Sequence, residues 1–117
     1  MKETWNAKIT NVSLNMKNHA CLTLDLTLEG NGIGVVFGGR CFGHGYLGAK
    51  EFEGSAKGLE YIMRIMDVVG VEALEDLKGK YVRVVNCGFC ERVIEIGNII
   101  EDKWFNIVEF FGDRNED

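Results

Sequence analysis

The sequence predicts an α+β domain: an antiparallel β-sheet, a meander plus a C-terminal hairpin, with one main helix packed on it. Three observations point there. Residues 21–30 read CLTLDLTLEG, so Leu22, Leu24, Leu26 and Leu28 alternate with Thr23, Asp25 and Thr27. Period two places the leucines on one face of a half-buried strand. After Ser55, the residues Leu59, Ile62, Met63, Met66 and Val69 recur at helical spacing. Between these segments the turns rest on glycine and asparagine, and the chain has no proline.

Each element follows in order. Trp5 to Met16 alternates in part and reads as the first strand, closed by a turn at Lys17-Asn18-His19. The leucine strand comes next. Gly30-Asn31-Gly32 then turns the chain into a third strand at Val35-Val36-Phe37, completing an antiparallel meander. Residues 38–54 form a long glycine-rich connection, and a loop of that length in a compact domain is usually functional. Ser55 caps the main helix and Gly70 ends it. The stripe of Leu59, Ile62, Met63 and Met66 is expected to share a core with the four leucines. Lys57, Glu60, Arg64 and Asp67 face away, while Tyr61, Ile65 and Val68 widen the stripe enough to suggest cover by a second subunit. Val71 to Leu77 reads as a short second helix stopped by Gly79. Tyr81 to Val85 and Arg92 to Ile100 form a hairpin around the 86–90 turn. Trp104 to Phe111 reads either as a last strand or as a short amphipathic helix.

Composition bounds the function. A chain of 117 residues is one domain, 1–117, and 46% hydrophobic residues is enough for a core. No stretch reaches the roughly 18 apolar residues of a membrane span. MKETWNAKIT lacks the apolar run of a secretory signal. The expectation is a cytoplasmic protein with its four cysteines reduced. A net charge of −5 argues against non-specific nucleic-acid binding. Mild acidity serves solubility, or supplies a surface that mimics nucleic acid.

Ten of the fifteen glycines fall between Gly30 and Gly58. Glycine lets another group approach the backbone closely. This stretch also carries Arg40, Cys41, His44, Tyr46 and Lys50, so it reads as a binding region. Successive amides in such a loop can form an anion nest, and the helix start at Ser55 adds a favourable dipole. Arg40, Lys50, Arg64 and Arg92 supply charge, and Phe89 supplies a ring that could stack on a base. Cys41-x-x-His44 and Cys87-x-x-Cys90 together offer four soft ligands for zinc, if the two pairs meet. Otherwise the cysteines are idle and no cofactor is required. Cys41 and His44 have no evident third group to orient them, and the glycines match no Rossmann or P-loop fingerprint. The chain therefore reads as a binder rather than an enzyme.

The segments TWNAKI, FGG, GVEALEDLKGKYVRV and IGNIIEDKWF resemble a family of small accessory proteins of temperate phages and prophages. The resemblance runs from Trp5 to Phe105 and carries no catalytic signature. It implies a protein of the host cytoplasm that antagonises bacterial immunity by binding. One form is a homo-oligomeric sponge for a cyclic nucleotide-type signal, like the Thoeris anti-defence proteins. In that form Arg64, Phe89, Asn98 and Arg114 are candidate ligand contacts by residue type. The alternatives are an anti-CRISPR protein that binds a Cas effector through an acidic surface, and an accessory protein that binds another host protein.

Overall fold

The computed structural model describes residues 3–86 and 93–112. The architecture is α+β, as the sequence predicts. The strands are β1 (Glu3–Asn18), β2 (Cys21–Gly30), β3 (Ile33–Phe37), β4 (Gly43–His44), β5 (Glu53–Gly54), β6 (Tyr81–Asn86), β7 (Val93–Asn98) and β8 (Trp104–Asn106). The helices are α1 (Ala56–Val69) and the short α2 (Ile107–Phe111), with one 3-10 turn at Leu74–Leu77. The sheet is curled and runs β5-β4-β2-β1-β6-β7-β8, with β3 paired to the other end of β2's outer edge. All pairings are antiparallel. Among the described residues, no helix is long and apolar enough to cross a membrane.

Strand β1 is the spine of the sheet. It pairs with β2 over Lys8–Asn18 and with β6 over Glu3–Lys8. Its partial alternation has a physical cause. The register with β2 shifts between Ile9 and Asn11, leaving Thr10 as an extra residue. Such a bulge reverses the parity of the side chains beyond it. Ala7 and Ile9 are therefore buried on one side of the bulge, and Val12 is the next to turn inward. Both tight hairpins use central residues with positive φ, as the primed turns that suit strand twist require. Asn31 and Gly32 do so at 53° and 73°. The first hairpin turns at His19 and Ala20, at 56° and 60°, later than Lys17-Asn18-His19.

The long 38–54 connection is not a free loop. It contains β4 and β5, which extend the sheet beyond β2. Likewise the segment from Trp104 is both a strand and a helix, in that order. Only Leu74–Leu77 of the second predicted helix is helical, as a 3-10 turn. The 86–90 turn of the C-terminal hairpin lies mostly outside the described residues.

The core corrects the phase of the main helix. Leu24, Leu26 and Leu28 are fully buried and Leu22 is half-buried, so the leucine face is as expected. On α1, however, the buried residues are Gly58, Tyr61, Ile65 and Val68. Leu59 and Met63 are 65% and 66% exposed, and Ile62 and Met66 are half-buried. Both sets repeat at helical spacing, so periodicity cannot rank them. Aromatic packing decides. The Tyr61 ring lies 5.7 Å from Phe42, 5.7 Å from Phe105 and 5.1 Å from Phe111. Its hydroxyl donates to the carbonyl of Leu24 at 3.0 Å, so the one polar atom carried inward is satisfied. Burial, then the nearby Asp25 carboxylate, pushes the phenol pKa far above its ordinary value, against an opposing effect of Arg40.

Two predictions follow from this core. Leu24→Ala should cost about 2–5 kcal/mol in denaturant unfolding. Met63→Ala should stay within about 0.5 kcal/mol. Equal costs would mean that the helix phase is wrong. Tyr61→Phe should cost about 1–3 kcal/mol at neutral pH, because the Leu24 carbonyl loses its donor. The alkaline sign follows from linkage. The folded pKa lies above the unfolded 10.0, so the unfolded chain releases this proton first. The contribution of Tyr61 is complete below pH 10.0 and is lost as pH rises beyond it. Above that pH the wild type should lose stability more steeply than Tyr61→Phe, by up to about 1.4 kcal/mol per pH unit. Parallel pH profiles would refute the assignment.

Candidate functional site

The glycine-rich segment builds one side of an open groove of about 570 Å³, lined by Cys41, Phe42, Gly43, His44, Phe52, Glu53, Gly54 and Ser55. Strands β4 and β5 form its floor. Cys21 of β2 pairs with His44 of β4, and His44 pairs with Glu53 of β5. Directly opposed residues point to the same side of a sheet. Cys21, His44 and Glu53 therefore form one cross-strand row. Gly43 and Gly54 form the next row; a Cβ on Gly43 would press on Leu22 and the Glu53 carbonyl, and one on Gly54 would meet open space.

The chain leading into β4 alternates inward and outward. Arg40 is buried at 9% exposure and donates to the carbonyl of Gly112 at 2.7 Å, with Phe111 5.8 Å away. Cys41 is exposed. Phe42 turns inward against Tyr61, and its amide donates to the Leu22 carbonyl at 3.0 Å. Gly58 is what lets α1 lie on Phe42, because a Cβ at that position would overlap the ring. The Ser55 hydroxyl accepts from the Gly58 amide at 2.9 Å, which fixes the start of α1 at the groove. No acidic residue occupies the first turn of α1.

The cysteines differ from expectation. Cys21 and Cys41 are joined as a disulfide, with Cα atoms 5.2 Å apart. Strands β2 and β4 lie side by side at this point, a juxtaposition that their separation of 20 residues does not reveal. The Cys41 sulfur lies 4.0 Å from His44 Nδ1 and 3.3 Å from the Gly43 carbonyl. Cys87 and Cys90, the other half of the zinc set read from the sequence, lie outside the described residues. So do Phe89, Arg92 and Arg114.

The remaining candidates are spread over the molecule. Ser55 lines the groove, and Lys50 is exposed in the 45–52 loop that joins β4 to β5. Arg40 is turned into the core beneath α2. Arg64 pairs with Glu60 at 2.6 Å on the outer face of α1 and lies 5.8 Å from the Phe110 ring. Lys57 approaches the same ring at 5.1 Å. Asn98 joins the far end of α1 to the sheet: its Nδ2 donates to the Val68 carbonyl at 2.8 Å. Its Oδ1 accepts from the amides of Ile100 and Glu101 at 2.9 and 2.8 Å. Ser55 and Asn98 are thus a whole helix apart, about 20 Å. Sequence reasoning missed Cys21, Phe52 and Glu53. Phe52 had a signal of sorts, as a large apolar residue inside a polar loop, and it is 62% exposed.

The packing under the groove is testable. Gly58→Ala should displace the Phe42 ring and cost about 1–3 kcal/mol. Ser55→Ala should cost about 1 kcal/mol, and Ser55→Gly only a few tenths. Denaturant melts of the three variants check this, and a neutral Gly58→Ala would place Phe42 elsewhere.

Comparison with protein-family models, with curated proteins and with solved structures yields no match to this chain.

Proposed function

We propose that this chain is a non-enzymatic binding protein, a phage antagonist of bacterial immunity that sequesters a nucleotide-type signal in the host cytoplasm. One observation carries the reading: the groove opens at the N-terminus of α1. The first amides of a helix have no intrahelical partner, and its dipole favours an anion there. No acidic residue sits in the first turn itself, while the Glu53 carboxylate lies two residues before the Ser55 cap. Lys57, in the same turn, and Lys50 on the adjoining loop add positive charge. Phe52 offers an exposed ring for a base, and the Glu53 carboxylate is an acceptor for ribose hydroxyls or a base amino group. A volume of about 570 Å³ falls in the range of small-molecule sites.

The groove is open, and a sponge has to enclose its ligand. A homo-oligomer supplies the cover, and the outward Leu59 and Met63 of α1 are the apolar surface for it. The same two side chains favour a second reading. They could instead dock on a host protein, a Cas effector included, with the net charge of −5 favouring a basic partner.

Calorimetry against cyclic dinucleotides, cyclic trinucleotides and cyclic ADP-ribose isomers tests the first reading. One class should bind, and heating the complex should return it intact. Phe52→Ala should weaken binding by about 1–3 kcal/mol. Native mass spectrometry of protein from infected, defence-active cells should show an oligomer carrying the ligand. A ligand-free chain that co-purifies with a Cas effector, in a salt-sensitive complex, would replace the sponge with the second reading.

A further inference from the structure

We propose that Cys21, Cys41 and His44 form a zinc site in the reduced protein, in exchange with the Cys21–Cys41 disulfide. The inference does not rest on the nucleotide reading. The two cysteine sulfurs and a ring nitrogen of His44 all lie within 4.8 Å of one another. A tetrahedral zinc ion at ordinary bond lengths holds such donors about 3.5–3.8 Å apart. Cys41 Sγ and His44 Nδ1 are 4.0 Å apart, so small side-chain rotations bring them to that separation. The backbone already holds the three residues together. Cys21 and His44 are directly opposed across β2 and β4, and Cys41 precedes the first residue of β4 by two. Cys41 and His44 are exposed and Cys21 is half-buried, so both reductant and metal can reach the cluster.

The exchange balances. A dithiol reductant gives two electrons and two protons to the Cys21–Cys41 bond. That bond breaks to two thiols, and the reductant becomes a disulfide. Zinc then replaces the two thiol protons, which pass to solvent, and neutral His44 donates a nitrogen lone pair. In a reducing cytoplasm the dithiol is the expected form. Three protein ligands leave one tetrahedral position. Water is the donor for it. This ligand set differs from the one read in the sequence, since Cys21 takes the place there given to Cys87 and Cys90.

The test uses the full chain, fully reduced by a phosphine without oxygen or fully oxidised. Zinc is titrated in competition with a chromophoric chelator, and cobalt(II) serves as a spectroscopic probe. The reduced chain should bind about one zinc per chain, and its cobalt form should show a thiolate-to-metal charge-transfer band. The oxidised chain, folded and identical in sequence, should bind none. Zinc should raise the melting temperature of the reduced chain only. Cys21→Ser, Cys41→Ser and His44→Ala should each lose the one-to-one complex, while the double variant Cys87→Ser/Cys90→Ser should keep it. The oxidised wild type remains the folded comparison if a cysteine variant does not fold. The proposal is overturned if the reduced chain takes no zinc, or if the oxidised chain takes as much. It is also overturned if the double variant loses the metal while Cys21→Ser keeps it.

Discussion

The structure turns on Tyr61. Its ring touches Phe42 before β4, Phe105 on β8 and Phe111 on α2, and its hydroxyl closes on the Leu24 carbonyl of β2. One side chain therefore joins both ends of the curled sheet to the helix that lies within the curl. Edge-to-face aromatic pairs are directional, so they constrain rotation of α1 more tightly than leucine packing would. The rotational setting has consequences at both ends of the helix. At the N-terminus it presses Gly58 on Phe42 and delivers Ser55 to the rim of the groove. Along the outer face it leaves Leu59 and Met63 in solvent. The groove and the outward apolar patch are thus two results of one packing decision.

The same constraint explains why Arg40 is a structural residue despite its place in the glycine-rich segment. The chain from Arg40 to Gly43 must put Phe42 under Tyr61. Extended backbone alternates, so Arg40 turns inward with Phe42 while Cys41 turns outward. Inward, Arg40 reaches the Gly112 carbonyl at the end of α2 and lies against Phe111. A cation that ties the C-terminal helix to the core is poorly placed to meet a ligand in the groove. Of the basic residues near the helix start, Lys50 and Lys57 are left on the surface, beside the equally exposed Glu51 and Glu53.

What was legible in the sequence was local. The leucine alternation of β2, the Asn31-Gly32 turn, the Ser55 cap and the Gly70 stop each depend on a few neighbouring residues. All four are realised as read. The features that escaped depend on partners distant in sequence. The phase of α1 escaped because Leu59 and Met63 outrank Tyr61 on hydropathy, whereas the core selects the residue with three aromatic neighbours. Strands β4 and β5 escaped because two residues cannot show a period. The first hairpin escaped by position, since His19 and Ala20 are unusual choices for two successive positive-φ sites. The bulge at Thr10 did leave a trace. Trp5, Ala7 and Ile9 sit on one parity and Val12, Leu14 and Met16 on the other, which an unbroken strand does not produce.

The same division applies to the site. Cys41 and His44 are a local pair, and the two-residue spacer makes them visible. Cys21 joins them only because β4 pairs with the first residue of β2. That pairing is short, and residues 38–42 run on from β3 along the same edge of β2, the Phe42 amide reaching the Leu22 carbonyl, to make it. A bond between Cys21 and Cys41, covalent or through a metal, ties down the far end of this run. It therefore acts where β4 meets β2 at the single register pair Cys21 and His44, beside the groove that Cys41 and His44 line. Chemistry that opens or rebuilds that bond acts on the groove directly through Cys41 and His44, and on the aromatic core through Phe42, which follows Cys41 and packs on Tyr61.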